Sequence, residues 1–232
     1  MSPKKVNEQY NVAAPKSLPV RVAAYQRRKM YDLFIELTCV SRTESILDVG
    51  VTGDQTYEAS NYLEAWYPHK SKITAVGLDD ASFLETVYEG MKFIQANGLD
   101  LPFEDNSFDY VHSSAVLEHV GSEDNQHRFI EELYRVARKG VFITTPNRWF
   151  PIEFHTVLPV LHWLPKPVFR SILSRTSYSF FSKEENLNLL APKDVKRIMQ
   201  KSTQSEPNVL TLSLCGWPSN IIAYAPKFNS SD

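Results

Sequence analysis

Cysteine is scarce in this chain, with only Cys39 and Cys215, far apart, among 232 residues. Two isolated cysteines build neither a disulfide framework nor a thiolate metal site, and they fit a reducing compartment. Long apolar runs are missing too. No stretch approaches the ~18 uninterrupted apolar residues of a membrane-spanning helix, and the N-terminal stretch lacks the apolar core of a secretion signal. The expectation is a soluble, cytoplasmic protein, with a peripheral membrane contact left open. An excess of either charge is absent, since 25 Lys and Arg stand against 27 Asp and Glu. That balance speaks against bulk electrostatic binding of nucleic acid, which calls for a basic domain. There is no internal repeat and no low-complexity tract. The GxGxxG spacing of a dinucleotide site is missing, which disfavours an NAD-dependent oxidoreductase.

What is present is ordinary globular composition, 43% hydrophobic and 22% charged. The length suits one large domain or two small ones. Charge is uneven: residues 1–30 carry seven basic residues and one acid, with Arg27-Arg28-Lys29 as the densest run. Such a run suits a solvated helix face first, and a phosphate, anionic substrate or lipid surface second. Residues 1–19, with Pro3, Pro15 and Pro19, read as a flexible arm, and 20–232 as a single domain.

The periodicity then alternates. A helical pattern runs from Val20 to about Cys39. Ser45–Gly50 is a short apolar run suited to a buried parallel strand. Helical spacing returns over Gln55–Tyr67, stopped by Pro68. Lys72–Asp79, Met91–Ala96, Asp109–Ser114 and Val141–Thr145 read as further strands. Asn125–Arg138 is an amphipathic helix, with Gly140 expected as its cap. Residues 147–190 are rich in aromatics and proline. Pro192–Lys201 reads as a helix, and Val209–Leu214 and Ile221–Tyr224 as a closing antiparallel hairpin. Strands alternating with helices imply an α/β, Rossmann-like, doubly wound sheet with helices on both faces.

Three features in order carry chemistry. Ile46-Leu47-Asp48-Val49-Gly50-Val51-Thr52-Gly53 runs a strand into glycines, which lets a ligand approach backbone N–H groups. Asp79 closes the second strand, where an acid can accept hydrogen bonds from ribose hydroxyls. Asn97-Gly98-Leu99-Asp100-Leu101-Pro102-Phe103 and Asn106-Ser107-Phe108-Asp109 follow the third. In an open α/β sheet these segments meet at the carboxyl ends of adjacent strands, where ligands bind.

With these stretches the sequence resembles the class I S-adenosylmethionine-dependent methyltransferases, in the subgroup similar to the ubiquinone and menaquinone biosynthesis methyltransferases. The resemblance is carried by ILDVGVTG, ITAVGLDD, LPFEDNSFDYVHSSAVLEHV and VARKGVFITTPNR, within residues 45–148. It implies a seven-stranded sheet whose last strand is antiparallel, and S-adenosylmethionine as cofactor. It implies that Asp48, Gly50 and Gly53 line the methionine and ribose side, Asp79 holds the ribose hydroxyls, Asn97 and Gly98 face the adenine, and Ser113 contacts the methionine end. Two departures stand out. Val51 replaces a small residue of the family's glycine loop, and Asn97 stands where an Asp is usual.

Methyl transfer to a weakly acidic hydroxyl needs a base. His155, just past the fifth strand, is the leading candidate, with His119 next; His112 and His162 read as structural. His119 and Glu123 are spaced i, i+4, but two such residues make no metal site, and none is expected. The segment 147–190 is expected to form a lid or acceptor pocket, with a dimer or membrane-surface patch, or plain core, as alternatives. The expected function is methyl transfer to a small-molecule, sugar, glycan or lipid-linked acceptor, at oxygen, by a monomer or homodimer without nucleic acid. The alternative is a non-catalytic cofactor- or partner-binding protein with a degenerate glycine loop.

Overall fold

The apolar runs become the centre of one sheet. The computed structural model describes residues 18–55 and 58–227, so most of the expected N-terminal arm lies outside the described residues. The strands are β1 (Ile46–Val49), β2 (Ile73–Gly77), β3 (Lys92–Gln95), β4 (Phe108–Ser114), β5 (Ala137–Pro146), β6 (Asn208–Leu214) and β7 (Trp217–Pro226). Their spatial order is β3-β2-β1-β4-β5-β7-β6. The first five are mutually parallel, and β7 runs antiparallel to both β5 and β6. The chain reverses its direction of travel across the sheet between β1 and β4. That is the switch point at whose carboxyl edge a crevice forms.

Helices α1 (Leu18–Thr38), α2 (Tyr62–Trp66) and α3 (Phe83–Val87) cover one face, and α4 (Glu123–Val136) and α6 (Pro192–Thr203) the other. Side chains of a strand alternate between faces. Leu47, Val49 and Val111 therefore pack with Phe129 and Leu133 of α4, while Ile46 and Phe142 pack with Phe34 of α1 and Leu63 of α2. Asp48 and His112 share the α1 and α2 side with Ile46, so their polar groups enter an apolar core. Between β5 and α6 the chain builds a third apolar cluster. Phe169 and Leu173 of α5 (Lys166–Leu173) pack there on Phe181, Leu187 and Leu189.

Two local expectations change. Gly140 does not cap α4. The helix stops at Val136 and β5 begins at the next residue. Lys227 closes the helix instead, its Nζ donating to the carbonyls of Tyr134 and Ala137, each at 2.8 Å. A cation there suits the negative end of the helix dipole. Gly140 sits inside the strand because a Cβ would lie 2.7 Å from the Tyr224 ring. The helical pattern of 55–67 also shortens to α2 preceded by a 3-10 turn at Glu58–Asn61. The Asn61 side chain accepts from the Thr52 N–H and donates to the Thr52 carbonyl, each at 2.9 Å, which pins the glycine turn. The closing hairpin turns on Cys215 and Gly216, both with positive φ, so β7 begins at Trp217, four residues before the expected strand.

Candidate active site

The carboxyl edge of β1 opens at Gly50, whose φ of +108° is left-handed and suits glycine. A Cβ at Gly50 would meet Val116 Cγ2 at 2.0 Å, and one at Gly53 would meet the Asp80 carbonyl at 3.1 Å. The glycine turn is thus bounded by the ends of β4 and β2. Val51 is buried, and its side chain joins the core on the α1 side. The departure from a small residue is absorbed there rather than over the turn. Asp79 and Asn97 are exposed at the ends of β2 and β3. Asn97 Oδ1 accepts from the Leu99 N–H at 3.0 Å, forming an Asx turn. Gly98 packs tightly, since a Cβ would sit 2.6 Å from the Phe129 ring and 3.1 Å from Val49. Ser113 is buried, its hydroxyl donating to the Val49 carbonyl at 2.7 Å, which ties β4 to β1. Asp79, Asn97 and the glycines therefore share one edge, while Ser113 and Asp48 lie beneath it.

The most family-specific stretch of the sequence turns out to be held by salt bridges. Arg135 of α4 donates to Glu132, to Asp105 and to the carbonyls of Leu101 and Phe103. Asp109 accepts from the Ser45 backbone and hydroxyl and from Arg138.

Below the turn lies a buried polar cluster. His112 Nδ1 is 2.7 Å from Asp48 Oδ1, and its Nε2 is 2.8 Å from the Tyr62 hydroxyl. Burial lowers the His112 pKa to about 4, so the ring is neutral at pH 7. Nδ1–H donates to Asp48, and Tyr62 O–H donates to Nε2. Burial raises Asp48 to about 7. Glu64 of α2, fully buried, is pushed well above the usual carboxylate range by burial and by the charge of Asp48. Arg27 is the basic residue of its run that turns inward. Burial lowers its pKa against the opposing pull of Tyr62 and Asp54. Arg28 pairs with Asp32 at 3.0 Å, and Lys29 lies over Tyr25. The run is therefore only partly a solvated face.

A second cluster gathers at the ends of β4 and β5. Ala115, just after β4, has a left-handed φ of +56°, a strained conformation for a residue with a side chain. It turns the chain so that Glu118 and His119 follow in a 3-10 turn. Glu118 Oε2 accepts from Thr145 of β5 at 2.8 Å. His155 reaches His119 from the segment after β5, Nε2 to Nε2 at 3.0 Å. His155 Nδ1 is 2.6 Å from Glu153 Oε1, and His119 Nδ1 is 2.7 Å from the Asn186 carbonyl. Burial and the neighbouring His155 lower His119 to about 3. Burial also pulls His155 down, but its hydrogen bond and charge pairing with Glu153 leave it raised. Glu153, though buried, is held at about 2 by His155 and Thr156. His162 is buried against the Phe150 carbonyl at 2.8 Å.

Both histidines expected at the site, His119 and His155, are thus brought together. The motifs do not single out Glu153 or Glu64, and they mark Arg27 only as part of a basic run and Glu118 only as the neighbour of His119. Glu118 and Glu64 carried a signal: each is an acid set in an apolar run, Val116-Leu117-Glu118 and Tyr62-Leu63-Glu64.

Residues 47–144 match the family model described as "Methyltransferase domain". Over 84 residues the chain is 38% identical to the ubiquinone/menaquinone biosynthesis C-methyltransferase UbiE of Xylella fastidiosa (strain M12), covering 32% of each protein. The matched region thus spans about a third of that relative's length. Among solved structures, the YcgJ protein of Bacillus subtilis superposes with a TM-score of 0.59 at 14% identity, covering 88% of this chain and 100% of that one. A possible histamine N-methyltransferase of Thermotoga maritima gives 0.57 at 15% identity, with 91% and 92% covered. A methyltransferase from Methanosarcina mazei gives 0.55 at 18% identity, with 81% and 94% covered. At such identities the structural likeness speaks for the fold. Residues 47–144 are thus similar to the methyltransferase-domain family, set in a fold shared with solved methyltransferase structures.

Proposed function

We propose that the chain binds S-adenosylmethionine across the carboxyl edge of β1, β2 and β3 and transfers its methyl group to a hydroxyl-bearing small molecule, sugar or lipid-linked acceptor. The observation that carries this reading is the cradle at the switch point. A left-handed, exposed Gly50 stands beside Gly53, where a Cβ would crowd the Asp80 carbonyl, and Asp79 closes the neighbouring strand. The residues present fit the group. Gly50 and Gly53 stand exposed on the turn, where their missing Cβ atoms let Val116 and the Asp80 carbonyl pack close, and we assign Asp79 to the ribose hydroxyls and Asn97 to the adenine. When bound, the sulfonium supplies both the methyl and its leaving group.

The chain's own task is to align the acceptor, exclude water and manage one proton. Val116 packs on Gly50, so Glu118 and His119 follow directly from the rim of the cradle. The cluster they form with His155 is the set of proton-handling groups at that rim, and we assign it the acceptor hydroxyl. Exposed apolar side chains of the segment after β5, Trp149, Ile152, Val157 and Val160, suit an acceptor with an apolar part or a cover over it. Oxygen is the preferred acceptor atom. The name of the Xylella relative favours carbon as a second reading. Loss of the same hydroxyl proton from a phenol or enol places nucleophilic electron density on the carbon next to the oxygen-bearing one, which can then take the methyl.

Calorimetry with S-adenosylmethionine and its demethylated product tests the cofactor assignment. Saturable binding of both, weakened in Asp79→Ala, is expected. Absence of binding to the folded chain would contradict it.

A further inference from the structure

Glu118, His119 and His155 place three ligand-type atoms within 4.8 Å of one another. The proton positions at this cluster follow from its partners. His119 Nδ1 meets the Asn186 carbonyl, which can only accept, so Nδ1 carries the hydrogen and Nε2 a lone pair. His155 Nδ1 meets Glu153, whose two oxygens also take the backbone N–H of His155, the backbone N–H of Thr156 and the Thr156 hydroxyl. A carboxylate already receiving three donors, and held ionised by them, is an acceptor only. His155 Nδ1 therefore also carries a hydrogen. Two neutral rings in these tautomers would set lone pair against lone pair at 3.0 Å, so a positive species belongs at that point, either a proton or a metal ion.

Glu118 decides between them. Its side chain is fully buried, its Oε2 is satisfied by Thr145, and its Oε1 has no hydrogen-bond partner. That orphaned oxygen lies 3.9 Å from His119 Nε2. A proton shared between the rings leaves it unpaired in the interior, which is costly. A cation satisfies all three groups at once.

We propose that Glu118, His119 and His155 bind one divalent transition-metal ion of the zinc class, through both Nε2 atoms and the Glu118 carboxylate. Two imidazoles with one carboxylate favour such ions over magnesium or calcium. Metal–nitrogen bonds of about 2.0–2.1 Å at a tetrahedral angle set the two nitrogens about 3.3 Å apart, a few tenths beyond their present spacing. The outer partners are those a metal site requires. A carboxylate and a backbone carbonyl fix the two tautomers, and a hydroxyl orients the ligating acid. Three protein ligands leave a coordination position for water or an acceptor oxygen. That use of the ion rests on the methyl-transfer reading above, whereas the site itself does not. With the ion bound, the acceptor hydroxyl would lose its proton to solvent on coordination, and the imidazoles would serve as ligands rather than as bases.

The test uses the full chain stripped with chelator and titrated, without S-adenosylmethionine, with Zn²⁺ by calorimetry and with Co²⁺ by its visible d–d absorption. A single equivalent and a four- or five-coordinate cobalt spectrum are expected. His155→Ala and Glu118→Gln should weaken binding by about 100-fold or more, beyond the ~10–100-fold expected for the outer-partner variant Glu153→Gln. His69→Ala, away from the cluster, should leave binding unchanged. Should His155→Ala fail to fold, Glu153→Gln and the cobalt spectrum still decide. A folded, stripped wild type that takes up no metal would assign the position between the rings to a proton and overturn the proposal. Binding indifferent to both Glu118→Gln and Glu153→Gln would overturn it equally. Metal binding without S-adenosylmethionine binding would uphold the site and count against the methyl-transfer reading alone.

Discussion

Among the described residues, one histidine–carboxylate cluster lies buried beneath the carboxyl edge of the sheet and another, part-buried, lies at it, and their rings are partnered differently. Around His112 every ring nitrogen has its partner inside the protein, Asp48 on one side and Tyr62 on the other. Around His119 and His155 both Nδ1 atoms are anchored, while the two Nε2 atoms face each other and Glu118 Oε1 faces nothing that donates. A closed network rigidifies a core. One left open at the end of two strands presents its unused lone pairs to whatever binds there. Glu64, beside the first cluster, also keeps two buried carboxylate oxygens without a hydrogen-bond partner, so it is the pairing of the ring nitrogens that separates the two clusters.

The contrast breaks most visibly in turnover. His155→Ala should lower kcat by roughly 10²–10⁴, the range for losing the group that manages a proton at the reacting atom. It should leave S-adenosylmethionine affinity within about twofold, because His155 lies off the glycine turn. Steady-state kinetics with parallel calorimetry separates the two effects, and equal loss of cofactor binding would make His155 a cofactor-side or structural residue. His112→Ala should do the reverse. It leaves the Tyr62 hydroxyl and the Asp48 carboxylate unpaired in the core, at about 3–5 kcal/mol of stability. Urea unfolding measures this, and a stable variant with impaired turnover would place His112 in the chemistry instead.

Asp79→Ala is expected to weaken S-adenosylmethionine by about 1.5–3 kcal/mol, the range for charge-assisted hydrogen bonds. Unchanged affinity in the folded variant would take Asp79 out of the ribose site. The smallest expected effect is in pH dependence. Glu64 faces Asp48, His112 and Tyr62, with the Lys70 ammonium on its backbone carbonyl, and burial with the charge of Asp48 raises its pKa. The folded state therefore keeps a proton that the unfolded chain gives up above about pH 4.3. Stability must then fall as pH rises from there, by at most about 1.4 kcal/mol per pH unit for this group. Glu64→Gln removes that loss, so the variant should gain on the wild type between pH 5.5 and 8. His112, lowered to about 4, and His119, lowered to about 3, act in the opposite sense below pH 6.5. His119 is present in both proteins and cancels in the comparison, whereas His112 and Asp48 feel the Glu64 charge, so the difference between the profiles reports the coupled group. Parallel unfolding profiles would show that Glu64 titrates normally.

The parallel strands were legible because a strand buried on both faces writes itself as a continuous apolar run, as in Ile46–Val49 and Ile73–Gly77. The positions of Gly50 and Asp79 at strand ends followed from the same runs. Other features rest on contacts across the chain, which local pattern does not encode. Lys227 closes α4 from more than ninety residues away, so Gly140 read as the cap it is not. The approach of His155 to His119 depends on Glu153 and on the ring of Phe181 beside His155. Neither is visible from the spacing of His119 and Glu123, which argued against a metal.

The central claim is methyl transfer at the edge where the glycine turn and the histidine pair meet. Its most direct measurement is incubation of the protein with methyl-labelled S-adenosylmethionine and a metabolite extract, followed by chromatography and mass analysis. Label is expected in one small-molecule class that gains the mass of a single CH₂ group, reduced by Asp79→Ala at sub-saturating S-adenosylmethionine and strongly reduced by His155→Ala. Tight cofactor binding with no label transferred from any extract fraction would contradict it, and would leave a cofactor-binding protein without catalysis.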